Sequence, residues 1–255
     1  LHFTIHSFPT RRSSDLQLGA RQHGVVTRRQ VLDAGLTPDM IRSRLRAGGL
    51  VRIHRGIYLL GGLIGPLRPA RYLEMAAVLA CEHGATASHG SALWLRELVP
   101  DRPRGPVHLV MQHGRCRRPG ITAHRVASLP DTDASTVDGI PTTRAIRTIL
   151  DMAPDLTPRQ LERVIGRAER SQLLDIEELR ERVRVEDGRP GIRRLRALLS
   201  STVPMVFTRS QAEERFLELL RKAGIPEPEC NVTVGRRELD FLWRDHRVAV
   251  EVDGF

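Results

Sequence analysis

Two helix starts lie ten residues apart near the front of the chain, and together they dictate its local geometry. Thr27-Arg28-Arg29-Gln30 has the form of a capping box, in which a threonine hydroxyl and a glutamine amide satisfy free backbone N–H groups at a helix N-terminus. Thr37-Pro38 is a second cap, with proline at the first helical position, where its missing N–H costs nothing. Val31, Leu32 and Ala34 give the first helix an apolar side, and Gly35 stops it. Leu36 bridges to the second helix, expected to run to Ala47 with Met40, Ile41 and Leu45 inward and Arg42, Ser43 and Arg46 outward. Gly48-Gly49 ends that helix. Leu50-Val51-Arg52-Ile53, the turn His54-Arg55-Gly56 and Ile57-Tyr58-Leu59 then spell a short hairpin. Helix, tight turn, helix, hairpin predicts a winged helix-turn-helix over residues 17–62. In that fold the second helix enters a major groove and the wing lies along phosphates.

Helix pairs with short turns also occur in proteins that never touch nucleic acid, so charge must carry the functional half. The chain has a formal net charge of +10, and of its 40 basic residues only Lys222 is a lysine. Guanidinium forks bind phosphate bidentately, which fits nucleic acid; a GC-rich genome gives the same excess. The distribution says more. Residues 21–55 carry eight arginines against two aspartates, a net of +6. Residues 210–255 carry ten acids against seven bases, a net of −3.

That acidic C-terminal stretch reads as helix, strand, strand, strand. Ser210-Gln211-Ala212-Glu213 is a capping box that puts Glu213 in the first turn of the helix. Asp240 sits inside Leu239-Asp240-Phe241-Leu242-Trp243, and Glu251 and Asp253 close Val248-Ala249-Val250-Glu251-Val252-Asp253-Gly254. A two-residue or a four-residue loop within Arg244-Asp245-His246-Arg247 gives one register. Trp243 then faces Val248, Leu242 faces Ala249, Phe241 faces Val250 and Asp240 faces Glu251. Residues directly opposite hold their Cβ atoms about 4.5–5.5 Å apart. Two carboxylates there repel, and flanking Leu, Phe and Val suggest a partly dry site. A divalent cation between Asp240 and Glu251 removes the conflict, and Mg²⁺ suits it, keeping waters that a phosphate can replace. The plainer reading makes the two acids solvated strand charges, Glu213 a helix cap and Asp253-Gly254 a turn.

The length of 255 residues allows one large or two small domains, each with a core. Between the two ends, Gly61 to Pro69 reads as a linker. Helices are expected at Pro69–His83 (with Gly84 as C-cap), from Ser88 through Leu98, at Arg144–Met152 capped by Thr143, from Thr157-Pro158 through Ser171, and near Ile176–Val183 and Ile192–Leu199. Val107–Met111 and Ile121–His124 are expected strands around a basic turn, Arg115 to Arg118. No Gly-rich phosphate loop or nucleophile constellation is present, and His83, His89, His108 and His124 are expected to be structural or surface residues. Cys81, Cys116 and Cys230 are odd in number and far apart, which predicts no disulfide framework; His113-x-x-Cys116 is a stray pair with little claim to a metal. The most apolar run, Ile57 to Leu67, is broken by glycines and Pro66 and is too short to span a membrane, so a reducing cytoplasm is the expected compartment.

Three resemblances sharpen these readings. Gly24-Val25-Val26-Thr27 through Ala34-Gly35-Leu36-Thr37 to Leu50-Val51-Arg52-Ile53-His54-Arg55-Gly56-Ile57-Tyr58 resembles the N-terminal domain of AbiEi-type antitoxins, which autoregulate toxin–antitoxin operons. The resemblance implies double-stranded DNA as a partner, a toxin or other protein as another, and Arg42, Arg46, Arg52 and Arg55 as DNA contacts. Gly139-Ile140-Pro141-Thr142-Thr143 extends an AbiEi-like α/β region over 69–200. Ser210-x-x-Glu213-x-x-Phe216-Leu217, Leu239-Asp240-Phe241-Leu242-Trp243 and Val250-Glu251-Val252-Asp253-Gly254 resemble an actinobacterial family related to very-short-patch-repair (Vsr) endonucleases, within the PD-(D/E)xK superfamily. That implies metal binding by Asp240 and Glu251, with Glu213 as the helix acid nearby, over 208–255. The superfamily lysine should stand two residues after the glutamate, where this chain has Asp253. Relatives continue with a histidine, a further strand and a helix, so the stretch reads as C-terminally truncated and inactive by itself. His6-Ser7-Phe8-Pro9-Thr10-Arg11-Arg12-Ser13-Ser14-Asp15-Leu16 resembles a translated sequencing adapter, and residues 1–16 are set aside from the fold; a disordered basic arm is the rival reading.

The expectation is an α/β protein of the α+β multidomain kind that acts on DNA. It is either a Mg²⁺-dependent endonuclease held on duplex by its winged helix, or an antitoxin-type regulator whose nuclease-like domain is dead. A protein-interaction module that binds no nucleic acid is the third reading, and it requires the +6 segment to be only a solvated face.

Overall fold

The computed structural model of the chain describes residues 21–61, 71–81, 84–200, 211–235 and 237–251. It is a mixed α/β protein with several sheets, and it divides into two compact units, 1–194 and 195–255.

The first unit opens with the expected helix pair. Strand β1 (Val25–Thr27) runs straight into helix α1 (Arg28–Asp33), where the Thr27 and Gln30 side chains close a reciprocal capping box. Gly35 reverses the chain at φ +90°, a left-handed conformation that favours glycine. Helix α2 (Pro38–Arg46) then starts with the Thr37 hydroxyl accepting from the Met40 N–H. Ile41 is buried and Leu45 packs against the same cluster, but Met40 is 41% exposed. At the third position of a helix that begins at the surface, it has no core above it to meet.

Strands β2 (Leu50–His54) and β3 (Ile57–Leu60) form the hairpin, with a register shift between Arg52 and His54. β1 adds to the other side of β3, giving a three-stranded antiparallel sheet in the order β1-β3-β2. Side chains alternate across a strand, so this sheet has two apolar faces. Val26, Leu50 and Tyr58 face Val31 and Ile41 of the helix pair. Val25, Ile57 and Leu59, with Val51 and Ile53 against them, join a second core. That core is filled from helix α3 (Tyr72–Cys81) by Met75, Ala76, Ala77 and Ala80. The winged-helix sheet and the middle of the chain are therefore built on shared packing.

The middle region contains a five-stranded mixed sheet. Its strands are β4 (Thr86–Ala87), β5 (Val107–Met111), β6 (Ile121–Arg125), β7 (Ala134–Val137) and β8 (Ile140–Thr143), in the order β6-β5-β4-β8-β7. Sequence patterning finds β5 and β6 and misses the three short strands. The two strands around the basic turn pair in parallel, Val107 with Ile121 through Met111 with Arg125, so residues 112–120 carry the chain back along β5. The return is anchored by a disulfide between Cys81 and Cys116, whose Cα atoms are 5.3 Å apart. This corrects the expectation of no disulfide, and it removes Cys116 from any pairing with His113 on a metal. Spacing along the chain could not reveal the bond, because helix α3 and the 112–120 return meet only through the shared core.

Two caps also differ. Ser88 precedes helix α4 (His89–Leu95) and Arg144 precedes helix α5 (Ala145–Met152), but neither gives a side-chain capping bond. The Ser88 hydroxyl pairs with the His89 ring at 3.0 Å, and the Thr143 hydroxyl pairs with Thr148 at 2.7 Å. Helices α6 (Pro158–Arg170), with its Thr157–Gln160 capping box, α7 (Ile176–Val185) and α8 (Ile192–Ser200) fall where periodicity predicts them.

In the second unit, helix α9 (Gln211–Lys222) accompanies an antiparallel meander of β9 (Glu229–Val234), β10 (Arg237–Trp243) and β11 (Val248–Val250). Leu217, Leu220 and Phe241 form its core, with Phe216 and Phe241 ring centroids 5.0 Å apart. The hairpin register is the expected one: Trp243 pairs with Val248, Leu242 with Ala249 and Phe241 with Val250. Among the described residues, no helix is long and apolar enough to cross a membrane.

Candidate nucleic-acid interface

The wing places arginines on β2 and in the tight turn that follows it. Gly56 takes φ +79° at that turn, which lets β2 reverse into β3 within two residues. Arg52 and Arg55 are exposed on the strand and the turn. Arg28 joins them because β1 continues beside β3: its backbone N–H donates to the Gly56 carbonyl at 2.7 Å. Arg118 reaches the same place from the β5–β6 return, donating to the Arg55 carbonyl at 3.1 Å.

Two adjoining clefts result. The larger, about 860 Å³, is lined by Arg52, Arg55, Arg115, Arg117 and Arg118, with the Cys81–Cys116 bond in its wall. The smaller, about 500 Å³, is lined by Arg28, Arg52, Arg55, Arg118, Gly56 and Tyr58. Among the described residues, no carboxylate belongs to either lining. Six arginines thus line the two clefts with no acid among the described lining residues, an arrangement whose mutual repulsion a polyanion relieves. His54 lies in the wall of the larger cleft, and its pKa is lowered by burial and then by the Arg118 charge.

Of the four arginines expected to contact DNA, the structure brings Arg52 and Arg55 together. Arg42 and Arg46 are exposed on α2, one turn apart, and line neither cleft; Arg42 is ion-paired with Asp39. Sequence reasoning missed Arg28, Arg115, Arg117 and Arg118. Arg28 was hidden because β1 reads from sequence only as the entry to a helix. The other three stood out as a basic turn, but nothing local ties that turn to the wing.

Two residues of the expected carboxylate site can be placed. Asp240 is half-buried on β10 and Glu251 is exposed just beyond β11, one position past the Phe241–Val250 pair. Glu251 therefore does not lie in the dry surroundings that its apolar neighbours suggest. Glu213 lies in the first turn of α9, but its side chain, Ser210 and Asp253 are outside the described residues. Among the described residues, Asp240 and Glu251 belong to no group of three metal-ligating side chains. Such a group does form elsewhere, from three of the four histidines expected to be structural or surface residues: His89, His108 and His124. His83 is outside the described residues.

Comparison with known proteins bears on the front of the chain. Residues 16–61 match the family model described as "Transcriptional regulator, AbiEi antitoxin". That stretch contains the capped helix pair and the whole wing. Among solved structures, the chain is similar to the RV2827C protein from Mycobacterium tuberculosis, at 17% identity, over 89% of this chain and 85% of that one, with a TM-score of 0.46. No curated protein matches the chain.

Proposed function

We propose that the protein is a DNA-binding transcriptional regulator of the AbiEi antitoxin type, which holds duplex through its winged helix and the arginine clefts beside the wing. The observation that carries this reading is the convergence of Arg28, Arg52, Arg55, Arg115, Arg117 and Arg118, with no acid among the described lining residues. The family match over the same helices and wing supports it. In this arrangement α2 presents Arg42 and Arg46 toward base edges and phosphates. The wing and the β5–β6 return grip the backbone alongside. A toxin partner follows from the antitoxin type.

The test is binding of the full chain to a labelled duplex carrying the stretch upstream of its own gene, against a scrambled duplex of equal length. A specific regulator discriminates by about a thousandfold or more. Equal affinity for both duplexes contradicts the regulator. Arg46→Ala on α2 is expected to reduce the discrimination, and Arg55→Ala on the wing to weaken both duplexes alike.

The hairpin register favours a second reading of the C-terminal unit, as a nuclease-like domain in which Asp240 and Glu251 hold Mg²⁺. Pairing of Phe241 with Val250 is what supports it. Incubation with supercoiled plasmid and Mg²⁺ tests this. Cleavage that disappears in Glu251→Ala supports the reading, and cleavage unchanged in that variant, or none, contradicts it.

A further inference from the structure

We propose that His89, His108 and His124 form a binding site for a single transition-metal dication of the Zn²⁺ class. The site is independent of the DNA-binding reading.

Backbone pairing builds the cluster. Ala87 on β4 pairs with Leu109 on β5, so the next residue, Ser88, comes opposite His108 and donates its N–H to the His108 carbonyl at 2.9 Å. His89 follows at once. Parallel pairing of His108 with Thr122 and of Val110 with His124 sets His108 and His124 diagonally on one face of the sheet. That face is opposite the one where Val107, Leu109 and Met111 meet α3. One ligand nitrogen from each ring lies within 4.8 Å of the others, and all three residues are half-buried. Nδ1 of His108 and Nε2 of His124 are 3.0 Å apart. Zinc–nitrogen bonds of about 2.0–2.1 Å in a tetrahedron hold ligand nitrogens roughly 3.3 Å apart. An ion can therefore take the place of the proton shared between these two rings with little movement of either.

Three further features fit. Ser88, fully buried, bonds Nδ1 of His89 at 3.0 Å and leaves the other ring nitrogen for a metal, the orienting contact typical of ligand histidines. His89 holds φ +50°, a strained backbone for a side-chain-bearing residue and one that concentrates at functional sites. Arg147 and Arg189 also face His89, but each is ion-paired, Arg147 to Asp133 and Asp151 and Arg189 to Asp151 and Glu186. The carboxylates of Asp151 and Asp155 act on His124, and Asp155 on His108, favouring a cation. The His89 ring stacks on His124 with centroids 3.8 Å apart, so it swings out of that stack to bring its nitrogen to the ion. Three imidazoles then leave a fourth position for water or an anion, the arrangement of an open zinc site.

The proposal is tested on tag-free full-length protein, stripped with chelator and titrated with Zn²⁺ by calorimetry. In parallel, the ring resonances of its ten histidines are followed by NMR. The expected result is saturable binding of one ion per chain, with three histidines shifting. Ser88→Ala is expected to weaken binding about 10–100-fold, as loss of an orienting contact does. His124→Gln, which keeps a polar side chain of similar size, is expected to weaken it at least as much. No saturable binding by the unmutated chain overturns the site, as does binding that both variants leave unchanged. Zinc shifting a different set of histidines overturns it as well.

Discussion

Arg147 is almost fully buried, and it is held there by two carboxylates. It donates to Asp133 at 3.1 Å and to Asp151 at 3.0 Å, while Arg182 and Arg189 reach the same two acids from outside. These bonds fasten α5, the turn before β7, α7 and the approach to α8 to one another. Removing one partner of a buried pair leaves the others charged and unsolvated, which costs about 3–5 kcal/mol. Arg147→Met is expected to lower stability by that order in a denaturant melt, whereas Arg184→Met, whose ion pair with Glu181 is exposed, is expected to change it little. His89 sets a second dependence. Folding holds its pKa at about 3, chiefly by burial and then through His124, His108, Arg147 and Arg189. The unfolded chain, with an ordinary histidine pKa of about 6.5, binds the extra proton between those values. Its contribution to metal-free stability is complete above about pH 6.5 and falls as the pH drops through that window. His89→Asn, which tolerates the same backbone conformation, is expected to narrow the difference in melting temperature between about pH 8 and about pH 5.

At the scale of elements, the return between β5 and β6 decides what stands beside the wing. It is nine residues long, carries Arg115, Arg117 and Arg118, and is tied to α3 through Cys81–Cys116. Closing a loop with a sequence separation of 35 removes unfolded-state entropy worth about 3–4 kcal/mol by the chain-entropy account. Cys116→Ser is expected to lower stability by up to that amount and, by releasing the arginines, to weaken duplex binding. Unchanged affinity in that variant would separate the return from the interface. The elements of the helix pair were legible because their signals are local: Thr27 with Gln30, Thr37 with Pro38, Gly35 and Gly56. The hairpin register of Phe241 with Val250 was legible too, since the even length of its loop fixes it. Strands β4, β7 and β8 were not. Two to four residues cannot show an alternation, and what holds Ala87 beside Thr142 is pairing 55 positions away. The histidine cluster was hidden for the same reason, because three short-range patterns on separate elements meet only through the sheet.

For the whole molecule, the consequence of shared packing is that the winged helix is braced from behind. Val25, Ile57 and Leu59 bury against Met75, Ala76 and Ala80, so the wing sheet is held between its own helix pair and the middle region. Met75→Ala in that core is expected to cost about 2–5 kcal/mol and to weaken DNA binding through the wing although it touches no DNA. The charge asymmetry read from sequence, basic in front and acidic behind, agrees with an interface built on the first unit alone.

Duplex DNA held against the wing clefts must release counterions as it binds, so the salt dependence of binding reports on that contact. Removing one phosphate-binding side chain flattens the slope of log K against log salt by about 0.9. A steep slope is predicted for the unmutated chain, reduced by about that amount in each of Arg52→Ala, Arg55→Ala and Arg118→Ala. A slope near zero, or one that all three substitutions leave unchanged, would contradict it.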